Sequence, residues 1–154
     1  MTRVLFPPAA GVFSAVGLLL AEIELSESQA FLVGTDTLDA GAARAILERL
    51  EIQLLTLLAY RREAVRFRYV ADMRFRGQAY ELPIAFTTVE LDPNLGTTLH
   101  DRFVLEHERT YGFAATGELG VQLVSLRVVG TPKFDTSTPF FAHFQGWPPY
   151  ESIT

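Results

Sequence analysis

At Val65 the hydrophobic period of this chain changes from that of a helix to that of a strand, and the change leaves few folds open. Upstream, "TDTLDAGAARAILERLEIQLLTLLAYRREA" places Leu38, Ala42, Ala45, Ile46, Leu50, Leu54, Leu57 and Leu58 three and four residues apart, with Asp36, Thr37 or Asp39 available as its cap. That segment is a helix with one buried stripe. Downstream, Val65, Phe67, Tyr69, Ala71, Met73 and Phe75 alternate with Arg66, Arg68, Val70, Asp72, Arg74 and Arg76, which predicts a long strand buried on one face.

The rest of the chain fits around that junction. "SQAFLVG" reads as a short strand ending at Gly34, and "QAYELPIAF" resumes extended character with Gln78, Tyr80, Leu82, Ile84 and Phe86 on one side. A hairpin across Arg76 and Gly77 is expected, with Pro83 confining the second strand to a sheet edge. A second helix is predicted from about Thr97 to Tyr111, with Leu99, Phe103, His107 and Tyr111 on one stripe and Gly112 as its stop. "GVQLVSLRVVG" is the last strand, from Gly120 to Gly130. Ahead of all this, "GVFSAVGLLLAE" reads as a lead helix behind Pro7 and Pro8.

After the lead helix the order is strand, helix, strand, strand, helix, strand. This is the α+β, ferredoxin-like βαββαβ pattern, an antiparallel sheet with two helices on one face and the other face open. Met73 and Phe75 should point toward the helices, and Asp72, Arg74 and Arg76 toward the open face. The expected divisions are 1–26 as the lead segment, 27–131 as the α+β domain and 132–154 as an irregular tail.

Composition excludes several classes of function. With 13 basic against 18 acidic residues and no basic run, the chain lacks the clustered cations that bind a phosphate backbone. It contains no cysteine, so disulfides, thiolate catalysis and cysteine-ligated metals are excluded, and a cytoplasmic location is expected. The most apolar stretch, from Ala9 to Ala21, is about 13 residues, short of the roughly 20 that span a bilayer. No membrane partner is expected.

Four motifs occur in a particular order: "PPAAGVFSAVGLLLAE" at 7–22, "DMRFRGQAYEL" at 72–82, "FVLEHERTYGF" at 103–113 and "VQLVSLRV" at 121–128. In this order they resemble the hydantoinase A and 5-oxoprolinase family, which includes ATP-dependent hydrolases of cyclic amides and related acetone and acetophenone carboxylase subunits. The likeness covers about 120 of the 154 residues. It implies the end of an actin-like ATPase region over 1–26 and the following α+β domain, a C-terminal portion whose phosphate-binding loop would lie upstream. It implies ATP and a divalent metal for the full-length parent and none bound by this chain, which reads as a cut or separately encoded piece. Its implied partners are the upstream actin-like ATPase region and a hydantoinase B-like subunit. The tail, "STPFFAHFQGWPPYESIT", departs from the family pattern and inherits nothing.

The residues with chemistry to offer are Asp72, Arg74, Arg76, Gln78, Glu81 and His107, as substrate-binding or interface groups, and no catalytic or metal-binding residue is assigned. For the row Asp72, Arg74 and Arg76, three readings stand: a solvated face whose charges at i and i+2 screen one another, an interface with the ATPase region, or direct substrate contact. His107, between Phe103 and Tyr111, reads first as a hydrogen-bonded core histidine and second as a catalyst. Two turns separate His100 from His107, about 10 Å by helical rise, too far to share a metal. Gln78, Tyr80 and Phe86 with the tail's Phe140, Phe141 and Trp147 offer a self-association contact. Two functions remain: a domain of an ATP-dependent amidohydrolase inactive by itself, or a docking module of a related ketone carboxylase.

Overall fold

Two period-two segments lie side by side at the centre of the fold, β2 (Val65–Phe75) and β4 (Val121–Pro132). The coordinates are a computed structural model, and the structure describes residues 14, 24–112 and 120–133. Outside β2 and β4 lie β1 (Leu25–Gly34) and the short β3 (Leu82–Phe86), giving the order β1-β4-β2-β3. Every neighbouring pair is antiparallel. Helix α1 (Ala40–Leu58) connects β1 to β2, and α2 (Leu95–Tyr111) follows β3. Each strand-helix-strand unit therefore brackets one strand of the other unit, the split arrangement expected from the element order. Apart from Ser14, Pro132 and Lys133, the lead helix and the tail fall outside the described residues.

Asp39 caps α1, its carboxylate accepting from the Gly41 backbone N–H at 2.8 Å. The other two cap candidates, Asp36 and Thr37, belong to a separate 3-10 turn, Thr35–Thr37. The buried stripe of α1 is Ala43, Ile46, Leu47, Leu50, Glu51 and Leu54. Ala45 and Leu57, expected on that stripe, are exposed. Helix α2 buries Leu95, Gly96, Leu99, Phe103 and His107, and Gly112 ends it in the left-handed region at φ 77°. No helix among the described residues is long and apolar enough to cross a membrane.

Both helices pack on the same sheet face, because one contiguous core joins their stripes to Tyr69, Ala71, Met73 and Phe75 of β2, Ile84 and Phe86 of β3, and Val121, Leu123, Leu126 and Val128 of β4. Alternation in β2 is kept as read. In β4 it is not: between Asp72 opposite Ser125 and Met73 opposite Leu123 the register slips by one residue, a bulge that turns both Leu123 and Leu126 inward.

The β2–β3 connection corrects the expected two-residue hairpin. The β3 ladder begins at Met73 opposite Leu82, so residues 76–81 form a longer loop, turned at Gly77 with φ 86°. Gln78 and Tyr80 belong to that loop and not to the strand, because pairing ends where Phe75 and Arg76 turn toward β4: the Gln78 backbone N–H donates to the Phe75 carbonyl and the Arg76 N–H to that of Gly120. Pro83 lies on an edge strand as its missing N–H requires.

Met73 is fully buried, whereas Arg74 next to it is partly exposed. Met73→Ala should cost about 2–5 kcal/mol and Arg74→Ala about 1 kcal/mol or less. Denaturant unfolding checks this; a loss for Arg74→Ala as large as that for Met73→Ala would contradict the assignment of faces.

Candidate functional site

On the face away from the helices, where Val70, Val129 and Thr131 are buried, β2 and β4 build a polar network that neither strand could make alone. Asp72 accepts from Arg127 Nη2 at 2.5 Å and from the Ser125 hydroxyl at 2.9 Å. Burial of part of this cluster strengthens it relative to a fully solvated pair. The charge of Asp72 is thus met across the strands, and not by Arg74 two residues along, because the bulge brings Ser125 and Arg127 onto its face. Arg127 Nε, which is buried, finds no acceptor among the described residues.

One rung further, Arg74 lies opposite Gln122. With its amide oxygen turned to the guanidinium, Gln122 accepts from Arg74 Nε at 2.8 Å and Nη2 at 3.1 Å. Glu81, in the loop, stands 4.0 Å from the other Arg74 nitrogen. Arg76 extends over the ends of two strands: a Cβ added at Gly34 would come within 2.7 Å of its guanidinium, and one at Gly120 within 3.2 Å. Asp36 stands 3.8 Å away. Bare backbone at both positions is what lets this side chain lie flat and exposed. Gln78 is half-buried in the loop, and Tyr80 is 80% exposed.

The structure therefore brings together Asp72, Arg74 and Glu81, with Arg76 at the same end of the sheet, and separates His107 from them. His107 is buried on the helix side, its ring 5.0 Å from Phe75, 5.8 Å from Phe103 and 4.6 Å from Tyr111, centroid to centroid. The sheet lies between it and the face that carries Asp72 and Arg74. His100 is exposed, with Nδ1 3.2 Å from Asp101.

Sequence reasoning missed Arg127, Ser125 and Gln122. Their signal was the three-residue step between Leu123 and Leu126, which strict alternation does not allow. It also missed Glu51, which is buried and accepts from the Tyr69 hydroxyl at 2.5 Å while Arg62 pairs with it. Burial holds the Tyr69 hydroxyl above its ordinary pKa, with Arg62 opposing.

A groove of about 810 Å³ opens at the other end of the sheet, where Arg66 and Arg68 of β2, Ala85 and Phe86 of β3, the turn that follows β3, and Arg102 of α2 form the walls. That turn, Thr88–Glu90, is held by a capping box in which Glu90 accepts from the Thr87 backbone N–H at 2.7 Å and hydroxyl at 2.8 Å. Arg102 grips the same carboxylate and donates to the Ala85 carbonyl at 3.0 Å.

A four-stranded antiparallel sheet with two helices on one face and a mixed-charge polar face on the other defines the class of fold. No family model matches the chain. It is 33% identical over 129 residues, 83% of its length, to an uncharacterized protein of Methanocaldococcus jannaschii, of which it spans 18%. Among solved structures it is similar to acetone carboxylase in a nucleotide-free structure concerned with ATP-dependent acetone carboxylation, at 25% identity and TM-score 0.67, covering 82% of this chain and 19% of that one. It also shares its fold with the ATP-dependent caprolactamase of Pseudomonas jessenii, at TM-score 0.69 and 20% identity, covering 81% of this chain and 19% of that one. The chain spans about a fifth of the length of each of these proteins.

The Thr87 backbone N–H holds the Glu90 carboxyl below its ordinary pKa of 4.5, opposed by burial and helped by the Thr87 hydroxyl and Arg102. A depressed acid stabilises the fold while ionised, and that contribution is lost as pH falls below 4.5 through the folded-state value. Glu90→Gln should therefore lower Tm at neutral pH, with the gap to wild type closing on acidification below 4.5. A gap unchanged by acid would refute the assignment.

Proposed function

We propose that the chain is a C-terminal α+β domain of an ATP-dependent enzyme of the hydantoinase and 5-oxoprolinase type, which opens cyclic amides, and that it does not turn over alone. The observation that supports an ATP-dependent enzyme of this group is the likeness to acetone carboxylase over 82% of the chain at 25% identity, joined to a motif order that resembles the same group of enzymes. The caprolactamase supports the amide substrate, caprolactam being a cyclic amide. A second reading, a docking domain of a ketone carboxylase, is favoured by the acetone carboxylase likeness itself.

In either reading, ATP and a divalent metal are held by the remainder of the enzyme. Among the described residues no group of three or more His, Asp or Glu could hold a metal. What the described residues offer is a docking face. Asp72 is already hydrogen-bonded to Arg127 and Ser125, and Arg74 to Gln122, so an actin-like ATPase region or a hydantoinase B-like subunit would meet fixed donors and acceptors with little ordering cost. Arg76, Gln78 and Glu81 stand at the rim, where polar groups give register more than affinity.

Phosphate release should be measured with hydantoin, 5-oxoproline, caprolactam and acetone, for this chain alone and with the ATPase region that the proposal places upstream. Silence alone and amide-dependent release together are expected; stimulation by acetone only would select the carboxylase, and turnover by the chain alone would overturn the assignment of the nucleotide site. Arg74→Ala should leave the Tm of the isolated chain within a few degrees of wild type yet reduce the reconstituted rate about tenfold, the effect of about 1.4 kcal/mol of lost docking or positioning. An unchanged reconstituted rate would remove Arg74 from the docking face.

A further inference from the structure

The side of α1 turned away from the sheet is not an ordinary solvated surface. Ile52 stands on it, 65% exposed. One turn earlier come Glu48 and Arg49, both exposed, and neither pairs with another described residue. Adjacent on the chain, they project about 100° apart around the axis, one on each flank of Ile52, and do not face each other. The cation one turn from Glu48 is Arg44, whose guanidinium donates instead to the Leu91 carbonyl at 2.8 Å. Arg49 has no acid three or four residues away.

The same line of the helix is graded by size. Toward its N-terminus the exposed residues are Gly41 and Ala45, and toward its C-terminus Ile52 and Thr56. The Thr56 hydroxyl donates to the Ile52 carbonyl at 2.9 Å, which commits its polar atom to its own helix. Steps of three and four residues keep these positions on one stripe, about 22 Å long from Gly41 to Thr56.

Reversed and laid against itself, that stripe is complementary. In an antiparallel pair with a two-fold axis between residues 48 and 49, Ala45 of one copy faces Ile52 of the other, Gly41 faces Thr56, and Glu48 faces Arg49, each contact occurring twice. Small residues against large ones let two helices approach to about 8–10 Å. A parallel pair would set like charges together, and an antiparallel pair centred on Ile52 would leave Glu48 and Arg49 opposite Thr56 and Leu55. We propose that α1 is a self-association surface, pairing antiparallel with α1 of a second copy of this chain, Ile52 seated on Ala45 and Glu48 paired with Arg49 in both directions. The pairing draws on α1 alone and is independent of the reaction that the whole enzyme performs.

Sedimentation equilibrium of the 154-residue chain between about 1 μM and 1 mM tests it. One helix from each copy makes an interface below about 1,200 Å², so a dissociation constant of about 10–100 μM is expected. Ile52→Ser, Glu48→Arg and Arg49→Glu should each weaken the dimer about tenfold or more. All three side chains are exposed, so the variants fold, which circular dichroism verifies. A copy with Glu48→Arg presents two arginines and a copy with Arg49→Glu two glutamates. Mixed at a concentration where each alone is monomeric, the two should form a dimer within about threefold of wild-type strength. A wild-type chain that stays monomeric at about 1 mM would overturn the dimer. Association indifferent to Ile52→Ser would overturn this face, and failure of the two charge variants to associate on mixing would overturn the antiparallel register.

Discussion

The rest of the structure depends on the pairing of β2 with β4. All of β2, from Val65 to Phe75, is matched on β4, and the single bulge in that ladder sets what each face becomes. Without it, period-two alternation would place Ser125 and Arg127 on the same side as Leu123, under the helices. Two polar groups would then be buried in an apolar core, at a cost of several kcal/mol for the charge alone. With it, Leu123 and Leu126 both enter the core and Ser125 and Arg127 both reach Asp72. One extra residue thus separates an apolar layer from a polar network across a sheet one strand thick.

This also explains what could be read from the sequence. The strand β2 was legible because its alternation is unbroken, and α2 because Leu99, Phe103 and His107 repeat at four-residue spacing before Gly112. The class of fold, four antiparallel strands and two helices, followed from their order. Pairing was not legible. The sequence does not state that β4 lies between β1 and β2, so Arg127, 55 positions from Asp72, could not be named as its partner. The β2–β3 loop was misjudged for a related reason: Gln78 and Tyr80 keep the strand's alternation, yet the chain there is bonded to Phe75 and to the start of β4 and leaves the ladder.

Glu51 shows the same limit in the helix. By spacing it sits on the apolar stripe of α1, where a carboxylate is costly, and only Tyr69 and Arg62, brought from β2 and the turn before it, make that position tolerable. Arg62 in turn lies over the Phe67 ring at 5.3 Å, so its position is fixed from two sides. A helical stripe read from its own residues would call for an apolar side chain there. The acid is explained by elements that fold up against it from elsewhere in the chain.

The two ends of the sheet are built for different kinds of contact. At the end of Arg76 and the 76–81 loop, side chains supply the surface: a guanidinium laid over bare backbone, Glu81 beside Arg74, and Tyr80 projecting outward. At the end of Val65, β2 outruns β3 among the described residues. Side-chain surfaces discriminate by charge and shape, whereas a strand edge accepts any extended backbone and needs flanking charge to discriminate. The cationic row of β2 that alternation first revealed therefore divides by position: Arg74 and Arg76 lie toward the loop end, and Arg66 and Arg68 toward the end of Val65.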